Sequence, residues 1–140
     1  EDVQASVSGT IATLPAFDNN SSAVLRMKNG GSASIAASWS SAIAYNCKTL
    51  IGTKGTITLF GDSMWGFSTA KAAFSDGTQW QRTLDDVFPD DQAYRRENEY
   101  FVSCVLNDTQ PHCGATAGRE ALEISLAMLE SSKEKRLVTL

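Results

Sequence analysis

The chain has 140 residues, of which 42% are hydrophobic and 20% charged, with a formal net charge of -4 and a pI near 4.9. That length holds one compact domain and leaves no room for two ordinary ones, so residues 1–140 read as a single domain. The acidic balance lacks the basic footprint that phosphate backbones require, and no apolar run approaches the roughly 20 residues needed to cross a bilayer, which sets nucleic acid aside as a partner and excludes membrane spanning.

The chain opens at Glu1-Asp2, with no methionine and no signal-peptide pattern, and so reads as a piece of a longer polypeptide. VQASVSGTIAT (3–13) alternates small polar and apolar residues as a strand does, and Leu14-Pro15 ends it. AFDNNSS (16–22) is a loop of residues that bond their own backbone in turns. AVLRMK (23–28) and SASIAASW (32–39) flank Asn29-Gly30-Gly31, a strong hairpin signal because both Asn and Gly accept positive φ at low cost.

NCKTLIGTKGTITL (46–59) reads as two strands joined by Gly52-Thr53-Lys54-Gly55, and it is the stretch around which the sheet is expected to be organised. MWGFST (64–69), KAAF (71–74) and TQWQRTL (78–84) read as short strands, the last two joined by Ser75-Asp76-Gly77. At Pro89-Asp90-Asp91 the pattern changes to helix, with Tyr94, Phe101 and Val105 at helical spacing and Arg95 and Glu99 four apart on the exposed side. DTQPHCG (108–114) is a loop. A second helix runs over 115–132, with Ala117, Ala121, Ile124 and Met128 on one face beside Leu122, Leu126 and Leu129, a stripe wide enough to predict burial against more than one neighbour. LVTL (137–140) closes the chain as a strand. Strands followed by helices predict an α+β fold: an open, mainly antiparallel β-sheet with helices packed on one face.

Chemistry-bearing residues are few. His112, the single histidine, sits beside Cys113 in a loop, but sequence neighbours rarely face one another and no third orienting residue stands out. Cys47, Cys104 and Cys113 are an odd set without CxxC spacing, which argues against a disulfide framework or zinc site and for a reducing, cytoplasmic setting. Gly52-Thr53-Lys54-Gly55 leads into a strand, whereas a phosphate loop leads into a helix, and no GxGxxG occurs. Asp85-Asp86 and Asp90-Asp91 are more economically loop and cap residues than cation ligands. Catalytic, cofactor-binding and metal-ligating residues are therefore expected to be absent. Trp39, Tyr45, Trp65 and Trp80 can offer stacking surfaces to a sugar ring. Each alone is more simply a core or interface residue, and Trp39 and Tyr45 stand first as substrate contacts.

Four blocks, AVLRMKNGGSASIAASW, NCKTLIGTKGTITL, ENEYFVSCVLNDTQP and AGREALEISLAMLESSKEKRLVTL, resemble in order and spacing the C-terminal domain of the Gfo/Idh/MocA oxidoreductases, and they span nearly the whole chain. The resemblance implies a sheet domain of the kind found at the C-terminus of dihydrodipicolinate and glyceraldehyde-phosphate dehydrogenases. In this family an N-terminal Rossmann domain binds NAD or NADP and a Glu-Lys-Pro segment supplies a catalytic lysine, and neither is among these residues. It implies further that the sheet supports a sugar or polyol substrate in the parent protein, that the sheet face joins copies into a homo-oligomer, and that the chain alone binds no cofactor and does not turn over. The second reading is a stand-alone, non-catalytic sheet domain for small-ligand binding or assembly.

Overall fold

The computed structural model describes residues 1–10, 17–63, 66–84 and 93–140. Among these, the strands β1 (Asp2–Ser8), β2 (Asn20–Arg26), β3 (Ser32–Ser38), β4 (Asn46–Gly52), β5 (Gly55–Gly61), β6 (Thr69–Phe74) and β7 (Gln79–Thr83) precede helices α1 (Ala93–Leu106) and α2 (Ala115–Glu134) and the short strand β8 (Val138–Thr139). The backbone divides into two compact units, one of Glu1–Ser41 with Thr109–Leu140 and one of Ala42–Asp108.

In the first unit the strand order is β3-β2-β1-β8, antiparallel throughout. Alternation along β1 and β2 sends Val3, Ala23 and Leu25 to one face, where Ala127 of α2 and Val138 of β8 complete a buried core. Ala5, Ala33, Ile124 and Met128 pack around it. Burying an aliphatic side chain of this size contributes about 1.5–3 kcal/mol, so these few residues hold α2 on the sheet. Of the wide stripe expected on α2, Leu122, Leu126 and Leu129 are exposed in the structure, because β1 and β8 cover only the arc around Ala127 and Ser131.

The end of α2 also completes the sheet chemically. β8 pairs only with Asp2 and Val3, leaving the same edge of β1 open beyond it. There the N–H of Ala5 donates to Ser131 Oγ at 3.0 Å and that of Val7 donates to Ser132 Oγ at 2.8 Å. Ser131 in turn donates to the carbonyl of Arg136 at 2.6 Å, just past the left-handed residue Lys135 that ends the helix. On the outer side Arg26 Nε bonds the carboxylate of its cross-strand partner Asp2 at 2.8 Å, which holds the guanidinium above its usual pKa.

The Asn-Gly hairpin forms as expected between β2 and β3, with one difference. Only Gly30 takes positive φ, at 84°. Met27 and Gly31 close a three-residue loop in which Gly30 N–H donates to Met27 O at 3.0 Å and Met27 N–H donates to Gly31 O at 2.8 Å. This is a type I turn followed by one left-handed residue, so Asn29 need not leave the ordinary region and its side chain instead accepts from Gly31 N–H at 3.0 Å. The β6–β7 hairpin repeats the arrangement: Gly77 has φ 86°, and Asp76 Oδ1 accepts from Thr78 N–H at 2.8 Å.

In the second unit the order is β4-β5-β6-β7, again antiparallel. Gly52 and Gly55 pair across the two-residue turn Thr53-Lys54. A Cβ on Gly55 would lie 2.4 Å from the carbonyl oxygen of Ala73, so this glycine is required by close strand approach as well as by its φ.

The α+β class and the antiparallel pairing follow the expectation, and the elements match the C-terminal sheet-and-helix pattern. The strands do not, however, form one sheet around residues 46–59. β3 and β4 each end their own ladder, so among the described residues eight strands make two sheets of four. The strand expected over 64–69 is also absent over its described part: only Thr69 is extended, as the first residue of a continuous β6 that pairs with β5 from Phe60 to Gly55. Tyr94, Phe101 and Val105 of α1 are exposed, and Cys104 is the buried one among the described side chains of that helix. The Asp90-Asp91 helix start, Pro89 and Leu14-Pro15 lie outside the described residues.

Candidate functional site

Trp39 follows β3 directly. Its N–H donates to Asn19 O at 2.8 Å, which carries the β2–β3 ladder one step past the last strand pair, Asn20 and Ser38. Asn19 is buried and fixed from several sides, its Oδ1 accepting from the N–H of Thr10 at 2.8 Å and its Nδ2 donating to Thr10 Oγ1 at 3.1 Å. Asn20 ties the outer residues together, accepting from Ser38 Oγ at 2.6 Å and donating to Ser40 Oγ at 3.1 Å and to Thr10 Oγ1 at 3.0 Å. The indole of Trp39 is thus presented, 64% exposed, from a backbone held on both sides. Neighbouring residues of an extended strand point to opposite faces, so Ser38 with Asn20 and Trp39 occupy different faces at this end of the sheet.

Tyr45 lies immediately before β4 in the second unit and is 63% exposed. The two aromatic residues expected to contact substrate therefore belong to separate units. Trp80 carries Arg82 over its ring at 5.6 Å, a cation–π contact that favours its structural reading, and Trp65 lies outside the described residues.

One face of the second sheet is polar in a way that strand propensity alone did not single out. Registers place Thr49, Thr58, Lys71 and Gln81 in one row across all four strands, with Thr49 and Thr58 hydroxyls 3.2 Å apart. Thr56, Ala73 and Gln79 form the next row, and an open depression of about 440 Å³ lies over them. The available signal was the i, i+2 spacing of Thr56 and Thr58, which puts two hydroxyls on one face. Hydroxyls, amides and one ammonium can bind a polyhydroxylated ligand, but they include no general base. A larger depression, about 610 Å³, runs along α1 between Arg95, Asn98, Val102 and Leu106 and is lined by that helix and by Asn107 just past its end.

His112 and Cys113 are both exposed in the turn before α2. All three cysteines are unpaired. Among the described residues no cluster of three or more His, Cys, Asp or Glu side chains could hold a metal ion, and Asp85, Asp86, Asp90 and Asp91 lie outside them. No described helix is long and apolar enough to cross a membrane.

Among solved structures, the chain is similar over 99% of its length to an aldose-aldose oxidoreductase from Caulobacter crescentus in complex with glycerol, at 20% identity and a TM-score of 0.77. It is similar over its full length to the WlbA dehydrogenase of Bordetella pertussis in complex with NADH and UDP-GlcNAcA, at 18% identity and a TM-score of 0.70. The fold is that of the Gfo/Idh/MocA C-terminal domain. The WlbA dehydrogenase from Chromobacterium violaceum, also with NADH and UDP-GlcNAcA, gives a TM-score of 0.67 at 18% identity. The Gfo/Idh/MocA-type oxidoreductases share this fold at an identity too low for sequence alone to carry, and neither a protein-family model nor a curated protein matches the chain. The chain spans about two fifths of these neighbours: 41%, 38% and 40% of their lengths.

Proposed function

We propose that this chain is the substrate-binding and oligomerisation domain of an NAD(P)-dependent oxidoreductase acting on a sugar, polyol or related hydroxyl compound. The observation that carries this reading is the asymmetry of coverage: neighbours that are oxidoreductases match all of this chain while it matches only 38–41% of them. Two of those neighbours hold NADH and a nucleotide sugar acid, and the third holds glycerol.

The redox chemistry in this reading belongs to a nicotinamide bound outside these 140 residues, where a strand, a glycine-rich turn and a helix N-terminus would cradle the pyrophosphate. Residues of this chain orient the substrate. Trp39 in the first unit and Tyr45 in the second each offer an exposed aromatic surface on which a substrate ring can stack. Holding the reacting carbon against the nicotinamide is what this accomplishes, since positioning supplies much of the barrier reduction. The three unpaired cysteines fit a reducing, cytoplasmic compartment.

The test is an assay of the natural gene product that contains this chain, with NAD or NADP and a panel of aldoses, polyols and nucleotide sugars. Reduced nicotinamide formed with at least one of them supports the reading; a gene product that contains no dinucleotide fold and turns over none of them overturns it.

A further inference from the structure

Of the six asparagines in the chain, Asn29 is the one that a glycine follows; the residues after Asn19, Asn20, Asn46, Asn98 and Asn107 are Asn20, Ser21, Cys47, Glu99 and Asp108. The backbone nitrogen that follows an asparagine can attack its side-chain amide, and a Cβ on the following residue hinders that approach, whereas glycine offers no such obstacle. Asn29, Gly30 and Gly31 are exposed at the tip of the β2–β3 hairpin. A Cβ built on Gly30 would meet nothing within 4 Å, so water and hydroxide reach this point freely.

Two hydrogen bonds act on the reacting atoms in opposite directions. Gly31 N–H donates to Asn29 Oδ1 at 3.0 Å, which holds the side-chain amide over the backbone that follows it and puts a donor on the oxygen where negative charge develops during attack. This bond spans two residues and does not need the rest of the turn. Gly30 N–H donates to Met27 O at 3.0 Å, which retains the proton that the nitrogen must lose before it attacks. Opening of that one turn bond, at an exposed hairpin tip, is therefore the controlling local event.

We propose that Asn29 is a site of spontaneous deamidation, controlled by opening of the hydrogen bond between Met27 and Gly30. Hydroxide takes the Gly30 amide proton, the nitrogen forms a bond to Asn29 Cγ, and the Cγ–Nδ2 bond breaks. Ammonia leaves, taking its third hydrogen from water and regenerating hydroxide. Water then opens the resulting five-membered imide at either carbonyl. Breaking the Cγ–N bond leaves aspartate; breaking the bond from the former backbone carbonyl leaves isoaspartate, whose main chain runs through Cγ. One water enters, one ammonia leaves, and nothing is oxidised or reduced.

The fold accepts one of these products and not the other. The β6–β7 hairpin already has Asp76-Gly77 in the equivalent place, with Asp76 Oδ1 accepting from Thr78 N–H at 2.8 Å and Gly77 at φ 86°, so aspartate at position 29 keeps the turn. Isoaspartate adds one carbon to the main chain inside a three-residue loop and breaks the closure of Met27 on Gly31. The inference stands apart from the oxidoreductase reading.

Incubation of this chain at neutral pH, folded and in urea, tests the proposal, with each asparagine followed by peptide mass spectrometry and the Gly30 amide by hydrogen exchange. The expected result is conversion at Asn29 about tenfold or more faster than at any other asparagine, with isoaspartate among the products. Conversion in the folded chain should be slower than in urea by the same factor by which folding slows exchange of the Gly30 amide, since both begin with loss of the same proton. Asn29→Gln, whose longer side chain closes a six-membered ring far less readily, should lose the conversion. Asn29→Asp should keep the amide protection of β2 and β3. Conversion at Asn29 no faster than elsewhere overturns the site. Conversion in the folded chain at the rate found in urea, while the Gly30 amide is protected, overturns its control by the turn.

Discussion

The N–H of Ala5 in the first strand donates to the hydroxyl of Ser131 near the end of α2, at 3.0 Å across 126 residues of sequence. Ser131 is 1% exposed and donates its own hydroxyl hydrogen bond to the carbonyl of Arg136, so one side chain satisfies a sheet edge and a helix end together. Removing a partner from buried polar groups leaves them without solvent to replace it. Ser131→Ala should therefore destabilise the first unit by about 1–3 kcal/mol, read as a lower urea midpoint at unchanged slope. Ser132→Ala, at a less buried position, should cost less. Equal midpoints for Ser131→Ala and wild type would contradict this role.

The two three-residue hairpins differ in the side chain that accepts within the turn, neutral in one and acidic in the other. Asn29 and Asp76 hold equivalent positions, each accepting from the N–H two residues on. The Thr78 N–H, aided by the Thr78 hydroxyl, holds the Asp76 carboxyl below the usual carboxylate range. The ionised form is the one favoured on folding, so its contribution is present above the ordinary carboxylate pKa and disappears as pH falls through the lowered folded value. Carbon-detected NMR titration should find Asp76 below the other exposed carboxyls. In Thr78→Pro, which lacks the N–H, it should return upward. Asp76→Asn should keep the hairpin, as Asn29 does in its own, and remove the acid sensitivity there.

Gly55 and Gly61 are held by crowding. A Cβ on Gly61 would come within 2.2 Å of the Gly66 carbonyl oxygen, and one on Gly55 within 2.4 Å of that of Ala73. Either alanine substitution forces backbone apart and should cost about 1–3 kcal/mol by overpacking. Gly118, in α2 with open space around it, is the contrast. Gly118→Ala should raise thermal stability, by about 0.5–1 kcal/mol. A matched response of Gly55→Ala and Gly118→Ala would refute the distinction.

Trp39 and Tyr45 are the substrate contacts proposed for the parent enzyme. In the natural gene product, Trp39→Ala and Tyr45→Ala should each weaken sugar or nucleotide-sugar binding by about 0.5–1.5 kcal/mol, the usual worth of an aromatic contact beyond its area. Cofactor affinity should not move. Calorimetric titration of sugar and cofactor into each variant separates the two effects, and unchanged sugar affinity in both variants removes these residues from the site.

What the sequence disclosed was local. Asn29-Gly30 and Asp76-Gly77 mark their turns because the requirement for one left-handed residue is met within five positions. The spacing of Ile124 and Met128 marks part of the core face of α2, whereas Ala127 at its centre was not singled out and Ala117 and Ala121 of the expected face are exposed. The division into two sheets was not legible, since strand-like composition on either side of residues 39–45 does not say whether β3 and β4 pair. Nothing in the sequence singled out Ser131 and Ser132, and only the long-range docking of α2 on β1 shows them as hydrogen-bond partners of a strand. The polar row of Thr49, Thr58, Lys71 and Gln81 is likewise a product of register, which three separate turns determine. Trp39 could be named from its residue type, but its place beyond the last β2–β3 pair came from the fold.

The most direct test of the whole account is a titration of NADH, followed by fluorescence, into this 140-residue chain and into the natural gene product that carries it. The account predicts saturable binding by the gene product and none by the chain alone. Binding by the isolated chain with the affinity of an ordinary dehydrogenase would contradict it.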